Sequence, residues 1–262
     1  MDKSTMNNRV QSLFLGLVGI AAIVLFWQLS VSFTSIGRVI PPPLDVLQSF
    51  FTYSIKPMGK YTIIQHSLFS LSRVSVGFGL SGLCGLILGI GMGYSKNINA
   101  IFSPIFNLIK PIPGLAWIPM AILWFGIGEV AKYFIIFMGG FAHVVVNTMD
   151  GTRRVDNTLI GAARMLGANR WQLFFYIVIP SSVPYIFAGL QISLSTSWMA
   201  VLAAEMVSSQ EGSGWIIITG MNNGNTVQVL VGMISIGIVG LMLATLMRII
   251  ERKLCSWTIR GR

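Results

Sequence analysis

Charge is scarce in this chain. Only 10% of its 262 residues are charged, against about 25% in an ordinary soluble domain. Acid is scarcer than base: 8 Asp+Glu stand against 18 Lys+Arg, a net charge of +10. A chain of this length buries a core, but it could not clothe a wet surface with so little charge. That excludes a soluble enzyme and a disordered chain. Cysteine is limited to Cys84 and Cys255, which excludes a disulfide scaffold. The only histidines, His66 and His143, are far apart and set in largely apolar stretches, the setting of hydrogen-bonded structural histidines. No GxxxxGK[ST], HExxH, GxSxG or CxxC occurs. The chain therefore has no nucleotide-binding loop of its own, no recognisable catalytic residue and no metal site. Acids, bases and nucleophiles are too few for a membrane enzyme. Nor does the basic excess mark a nucleic-acid surface, because no basic patch finds a wet face to occupy.

What is abundant is apolar: 54% of residues are hydrophobic and the mean hydropathy is +0.75. A membrane-spanning helix needs about 20 mostly apolar residues. Six segments qualify, at about 13–33, 67–94, 101–125, 130–149, 184–207 and 227–250. They predict an all-α integral membrane protein with a single domain over 1–262 and a polar stretch at about 151–180 between the fourth and fifth spans. Lys3 and Arg9 precede the first apolar run as in a signal peptide. That run exceeds the 7–15 residues of a signal core, so it reads as an uncleaved first helix. After it, Pro41-Pro42-Pro43 stops any helix, and Asp45 opens an apolar stretch to Phe51, as a helix N-terminus prefers. This predicts a short helix on the outer membrane surface.

Six spans put both termini on one side, and the positive-inside rule chooses it. With a cytoplasmic N-terminus, the inside segments hold Lys3, Arg9, Lys96, Arg153, Arg154, Arg164, Arg170, Arg248, Arg252, Lys253, Arg260 and Arg262, which is 12 of 18 basic residues. Outside fall Arg38, Lys56, Lys60 and Lys132, while Arg73 and Lys110 lie within spans. Both termini are expected in the cytoplasm.

Three segments carry polar or small residues in telling patterns. Gly85, Gly89 and Gly93 repeat every four residues in the second span, a doubled GxxxG face suited to close helix packing. Pro104, Pro111, Pro113 and Pro119 interrupt the third, and a broken helix survives in a membrane only where protein or a water-filled cavity satisfies its backbone. Lys110 beside them can snorkel to the cytoplasmic interface. In the fifth span Ser193, Thr196 and Ser197 fall at i, i+3 and i+4, sharing one face, with Trp198 adjacent and Glu205 about two turns on. Hydroxyls can donate to an anionic solute without trapping it. The same cluster also suits plain interhelical hydrogen bonding. Glu205, an intramembrane carboxylate, is a functional candidate, and beside an anionic solute a paired or gating role suits it best.

The polar stretch between spans four and five reads Gly161-Ala162-Ala163-Arg164-Met165-Leu166-Gly167-Ala168-Asn169-Arg170-Trp171. Leu159, Ala162, Ala163 and Leu166 share a helical face, and Gly167 suits a helix end. This fits either an interfacial anchor or a small-residue knob docking into another protein. The pattern Ala162-Ala163, Gly167 and an apolar run to Pro180 resembles the EAA loop of binding-protein-dependent ABC importer permeases. The resemblance extends over nearly the whole chain. It includes Pro41-Pro42-Pro43, His66-Ser67-Leu68 with Arg73-Val74 and Gly77-Phe78, and Lys110-Pro111-Ile112-Pro113 with Ala116-Trp117-Ile118-Pro119. It continues through Leu123-Trp124-Phe125-Gly126-Ile127-Gly128-Glu129 to Trp198 and Ala204-Glu205-Met206. Together these are similar to the taurine, sulfonate and nitrate importers, with taurine-type permeases closest through Trp124–Glu129. One departure stands out: Gly161 replaces the glutamate that names the loop.

The resemblance implies a multi-pass permease of the bacterial cytoplasmic (inner) membrane, with Gly161, Ala162, Ala163, Arg164, Leu166, Gly167, Arg170 and Trp171 in the coupling helix region that meets the ATPase. It implies two ATPase subunits that bind ATP and Mg, an extracytoplasmic substrate-binding protein, and a second permease copy forming a homodimer in the lipid membrane. The permease itself binds no cofactor. Ser193, Thr196, Ser197, Trp198 and Glu205 are the expected pathway residues. The implied solute is a small anion, taurine or another sulfonate. Nitrate, bicarbonate and heterocyclic precursors use similar machinery. A gradient-driven secondary transporter is the distant alternative, and it would need more intramembrane acids than Glu205.

Overall fold

The computed structural model describes residues 3–255; Arg260 and Arg262 of the basic set lie outside the described residues. Among the described residues every regular element is helical, apart from an isolated bridge between Met58 and Tyr61. The chain forms two compact units: the residues up to Ile63 together with Ile216–Ile234, and Ile64–Trp215 together with the residues from Ser235 onward.

In the first unit, α1 (Lys3–Phe33) carries the first apolar run, and no side chain of Phe14–Phe33 is buried. Ser30 donates to the Phe26 carbonyl at 2.8 Å, and Thr34, just past the helix, to the Ser30 carbonyl at 2.6 Å. The helix α2 (Pro43–Ile55) starts where the proline run predicts, with Pro43 in its first turn and Asp45 at its positive end.

In the second unit, α3 (Ile63–Tyr94) is 32 residues long, about 48 Å of helix, more than the ~30 Å hydrocarbon core. The third apolar segment, expected as one proline-interrupted span over 101–125, is two helices. α4 (Lys96–Ile109) and α5 (Ile118–Phe125), joined through a 3-10 turn at Gly114–Trp117, are bent by 86°. Pro111 and Pro113 withhold backbone donors at the joint and cannot continue α4. Counting this pair as one span gives six candidate spans, and otherwise five.

The fourth segment is α6 (Glu129–Arg153). The polar stretch folds into α7 (Asn157–Met165) and α8 (Arg170–Leu173). Through a π-helical turn at Phe174–Val178, α8 runs into α9 (Ile179–Ser208). The fifth span, expected to begin at Pro184, thus starts earlier. Pro180 sits in the first turn of α9, where its missing N–H is not needed, and Ile179 N–H reaches back five residues to the Phe174 carbonyl. α10 (Ser213–Asn222) was not expected, and α11 (Thr226–Leu254) is the last helix among the described residues.

α6 is the centre of the second unit. Along α3, a Cβ built on Gly77 would stand 2.5 Å from Ile136 Cγ2, on Gly85 2.7 Å from Val144, on Gly89 2.7 Å from Thr148 and on Gly93 2.6 Å from Thr152. Both series advance by four, so α3 and α6 run parallel with backbones close enough that only glycine fits. Against α9 the order reverses: Gly139 meets Ala200, Gly189 meets Asn147 and Gly151 meets Tyr185, so α6 and α9 are antiparallel. Val74, Ile136, Leu194, Trp198 and Val201 form the apolar cluster among α3, α6 and α9, with Ile236 and Val239 of α11 against it.

Candidate functional site

The strongest polar constellation surrounds Arg73. In an apolar helix an arginine is tolerated only with partners, and its planar fork carries five N–H donors. All five are used. Nε and Nη2 donate to Glu129 at 2.8 Å each, a bidentate pair. Nη1 donates to Glu205 at 2.8 Å and to the Glu211 carbonyl at 3.1 Å, and Nη2 also to the Glu211 carboxylate at 3.0 Å. Lys132 donates to Glu129 at 2.8 Å. One guanidinium therefore links α3, the start of α6, the end of α9 and the turn before α10.

That turn is moulded on Glu205. The carboxylate accepts Ser70 Oγ–H and Gly214 N–H at 2.9 Å each, and Ser70 Oγ accepts Ser213 N–H at 2.9 Å. Gly212 has φ +109, and a Cβ there would run into the Glu205 carboxylate, so the turn demands glycine twice over. Its N–H donates to His66 Nδ1 at 3.0 Å, and the His66 ring stacks on Trp215 with centroids 5.0 Å apart. His66 is thus a satisfied, fully buried residue. Glu205 is paired with Arg73 across 2.8 Å. Sequence reasoning missed its partner, although an arginine in the second span and an acid in the fifth were the signal.

The other candidates in α9 do not share one surface with Glu205. Ser193 and Ser197 are fully buried and lie where a Cβ on Gly140 would collide, beside Ser81. Ser193 bonds Ser81 at 3.3 Å and Ser197 donates to the Ile136 carbonyl at 3.2 Å. Trp198 is buried in the apolar cluster, its indole N–H donating to the Ile236 carbonyl at 3.3 Å. Only Thr196 turns elsewhere, toward a recess with Gly114 and Gly139. The expected lining face is therefore divided: Ser193, Ser197 and Trp198 join helices, because residues three and four apart on α9 meet different neighbours.

The polar loop between α6 and α9 is built from caps. Asp156 accepts Thr158 N–H at 2.8 Å and starts α7, a bond that holds its carboxyl below the usual aspartate range. At the far end Ala168 N–H donates to the Ala163 carbonyl and Gly167 N–H to the Arg164 carbonyl, both at 3.0 Å, the paired closure of a left-handed helix end. Gly167 adopts the required φ of +84°. Asn169 and Gln172 then form a reciprocal capping box for α8. This turn presents Ala162, Arg164, Arg170 and Trp171 to the exterior, with Met165 85% and Leu166 89% exposed, while Gly161 and Ala163 are half-buried. Trp171 stacks on Phe175. Open space surrounds Gly161, so crowding does not explain the glycine there.

The helical order and the glycine-zipped α3, α6 and α9 define a polytopic membrane protein, and comparison with known proteins gives its class. Residues 82–256 match the binding-protein-dependent transport system inner membrane component family. The taurine transport permease TauC of Escherichia coli is 34% identical over 220 residues, covering 83% of this chain and 80% of that protein. The nitrate import permease NrtB of Synechocystis is 34% identical, covering 89% and 86%. In fold, the chain resembles the inward-facing MetNI methionine ABC transporter, with a TM-score of 0.64 at 19% identity over 73% of this chain and 96% of that one. The chain belongs to the family of ABC importer membrane components. Such permeases work with a partner ATPase and a substrate-binding protein.

Proposed function

We propose that this permease forms the translocation pathway for a small anionic solute, taurine or a related sulfonate, with nitrate as the second reading. Two copies pair across a two-fold axis, which closed symmetry favours. Both termini and the α7–α8 turn face the cytoplasm, where the basic residues concentrate. Each turn enters a cleft of an ATPase subunit, which binds ATP and Mg. An external binding protein delivers the solute to the opposite face of the inner membrane.

The observation that carries this reading is the doubly capped turn with Met165, Leu166 and Trp171 exposed. Large apolar side chains held outward on a rigid polar-capped loop mark a protein contact. Small Ala162 and Ala163 beside them permit close approach of another backbone. ATP-driven closure of the ATPases would move the turns together and shift the pathway between its inward and outward states. The Arg73 hub sits at the other end of α3 and α9 and holds the outer turn to the helices that move. The sulfonate reading rests on the similarity to TauC and on the Trp124–Glu129 segment.

The test is reconstitution of the permease with its ATPase and binding protein in proteoliposomes. ATP-dependent accumulation of labelled taurine is expected. Uptake of nitrate in place of taurine would move the solute to the second reading, and uptake driven by an ion gradient without ATP would overturn the proposal.

A further inference from the structure

Beside the bend between α4 and α5 lies a recess of about 190 Å³, lined by Gly114, Leu115, Gly139, His143, Thr196 and Met199 among others. Its walls come from three elements brought unusually close. A Cβ on Gly114 would stand 2.7 Å from Gly139 Cα, and one on Gly139 would stand 2.8 Å from the Ala200 Cβ. Two glycines thus let the irregular backbone after Pro113 lie directly on α6, and α6 on α9. Irregular backbone at membrane depth is tolerated where it is buried in protein or lines a cavity, and substrate sites gather near the midplane at such broken helices.

His143 lies two residues from the midpoint of α6 (Glu129–Arg153). Its Nδ1 is buried and, among the described residues, has no hydrogen-bond partner. That atom is shielded from solvent, so it is the rest of the imidazole ring that lines the recess. The second polar side chain is Thr196, whose hydroxyl donates to the Ile192 carbonyl at 3.0 Å or the Ser193 carbonyl at 3.1 Å. A hydroxyl proton rotates freely, so in a residue that lines the recess it can be given to a solute instead. None of the lining residues is acidic. The volume is below the roughly 300–1,000 Å³ typical of sites for drug-sized ligands.

We infer that this recess is a midmembrane subsite for a small oxyanion, in which the His143 imidazole and the Thr196 hydroxyl donate to the anion's oxygens. The inference deepens the proposed function and rests on it for the class of solute. Neutral donors suit a transit site: they replace part of the anion's hydration without a fixed cation that would hold it. The apolar remainder of the wall, Leu115 and Met199, takes the carbon portion of an alkyl sulfonate.

The test uses the complete transporter in proteoliposomes with labelled taurine. His143→Phe keeps the ring and removes both nitrogens, and it is expected to reduce uptake at least tenfold. His143→Gln returns an N–H and is expected to recover a third or more of the rate, which a merely space-filling histidine would not require. Thr196→Val is expected to lower uptake three- to tenfold. Should His143→Phe fail to assemble with the ATPase, the Gln and Val variants decide. A direct readout comes from Thr196→Cys in a Cys84→Ser, Cys255→Ser background: an anionic methanethiosulfonate should label it during turnover, and excess taurine should slow the labelling at least fivefold. Uptake by His143→Phe or Thr196→Val within twofold of the parent, or labelling indifferent to taurine, overturns the subsite. If the parent carries nitrate and no taurine, the sulfonate reading falls. The same variants measured with nitrate then judge the subsite separately.

Discussion

Arg73 Nη1 stands 2.8 Å from Glu205 Oε1 with the two side chains 3% and 0% exposed. Such a pair is bought with desolvation, and its attraction offsets that cost only when the remaining donors and acceptors are also met. Here they are, by Glu129, Glu211, Ser70 and Gly214. The consequence is a one-sided dependence: each partner holds the other in place, and removal of either leaves a buried charge.

Arg73→Ala is therefore expected to destabilise the protein by about 3–5 kcal/mol, the range for breaking a buried pair. The Arg73→Ala, Glu205→Ala double variant should fall well short of the summed single effects, since groups in one network are not additive. Thermal unfolding of the detergent-solubilised permease measures both. Additive losses would show that the two residues act independently.

The glycine ladder makes a matched comparison. Gly89→Ala puts a methyl 2.7 Å from Thr148 Cβ and should cost about 1–3 kcal/mol as overpacking. Gly79→Ala, on the same helix with nothing within 4 Å, should be neutral or stabilising by up to about 1 kcal/mol. Unfolding midpoints of the two variants carry the answer, and equal shifts would remove the close-packing account.

Gly167→Trp should uncouple ATP hydrolysis from uptake, because it loads a φ of +84° with a bulky side chain at the surface proposed to meet the ATPase. Gly161→Ala, in open space within α7, should leave coupling intact and firm the helix. Full transport by Gly167→Trp with its ATPase would show that coupling does not pass through this turn.

Asp156 gives the loop a pH response. Its folded-state pKa is lowered by the bond from Thr158 N–H. Its contribution to α7 is therefore complete above the ordinary aspartate range and is lost as pH falls through the lowered value. The protection of the Thr158 amide and its neighbours, measured relative to the intrinsic exchange rate at each pH, should fall on acidification, and Asp156→Ala should abolish that acid dependence.

Much of this architecture is visible residue by residue in the chain. Pro41–Pro43 announces the start of α2, and Gly167 marks the end of α7, because both act on their own backbone. The prolines from Pro104 to Pro119 foretell an interruption but not an 86° bend. The π-helical turn that lets α9 begin before Pro184 has no comparable mark, since it depends on how two helical stretches meet. Gly85, Gly89 and Gly93 declare a close-packing face without saying that α6 lies on it in parallel.

The same division holds for the polar residues. Composition and apolar run length alone made this a polytopic helical membrane protein, because a bilayer admits few other solutions. The loop motif, together with segments along nearly the whole chain, showed the resemblance to the importer permeases, because such motifs are written in contiguous residues. Only the tertiary structure joined Glu205 to an arginine 132 positions earlier. It also separated Thr196 from Ser193 and Ser197, and brought Thr196 to one recess with His143 and the broken backbone at Gly114. A helix specifies which residues share its face; which neighbour that face meets is decided by packing between segments distant in sequence.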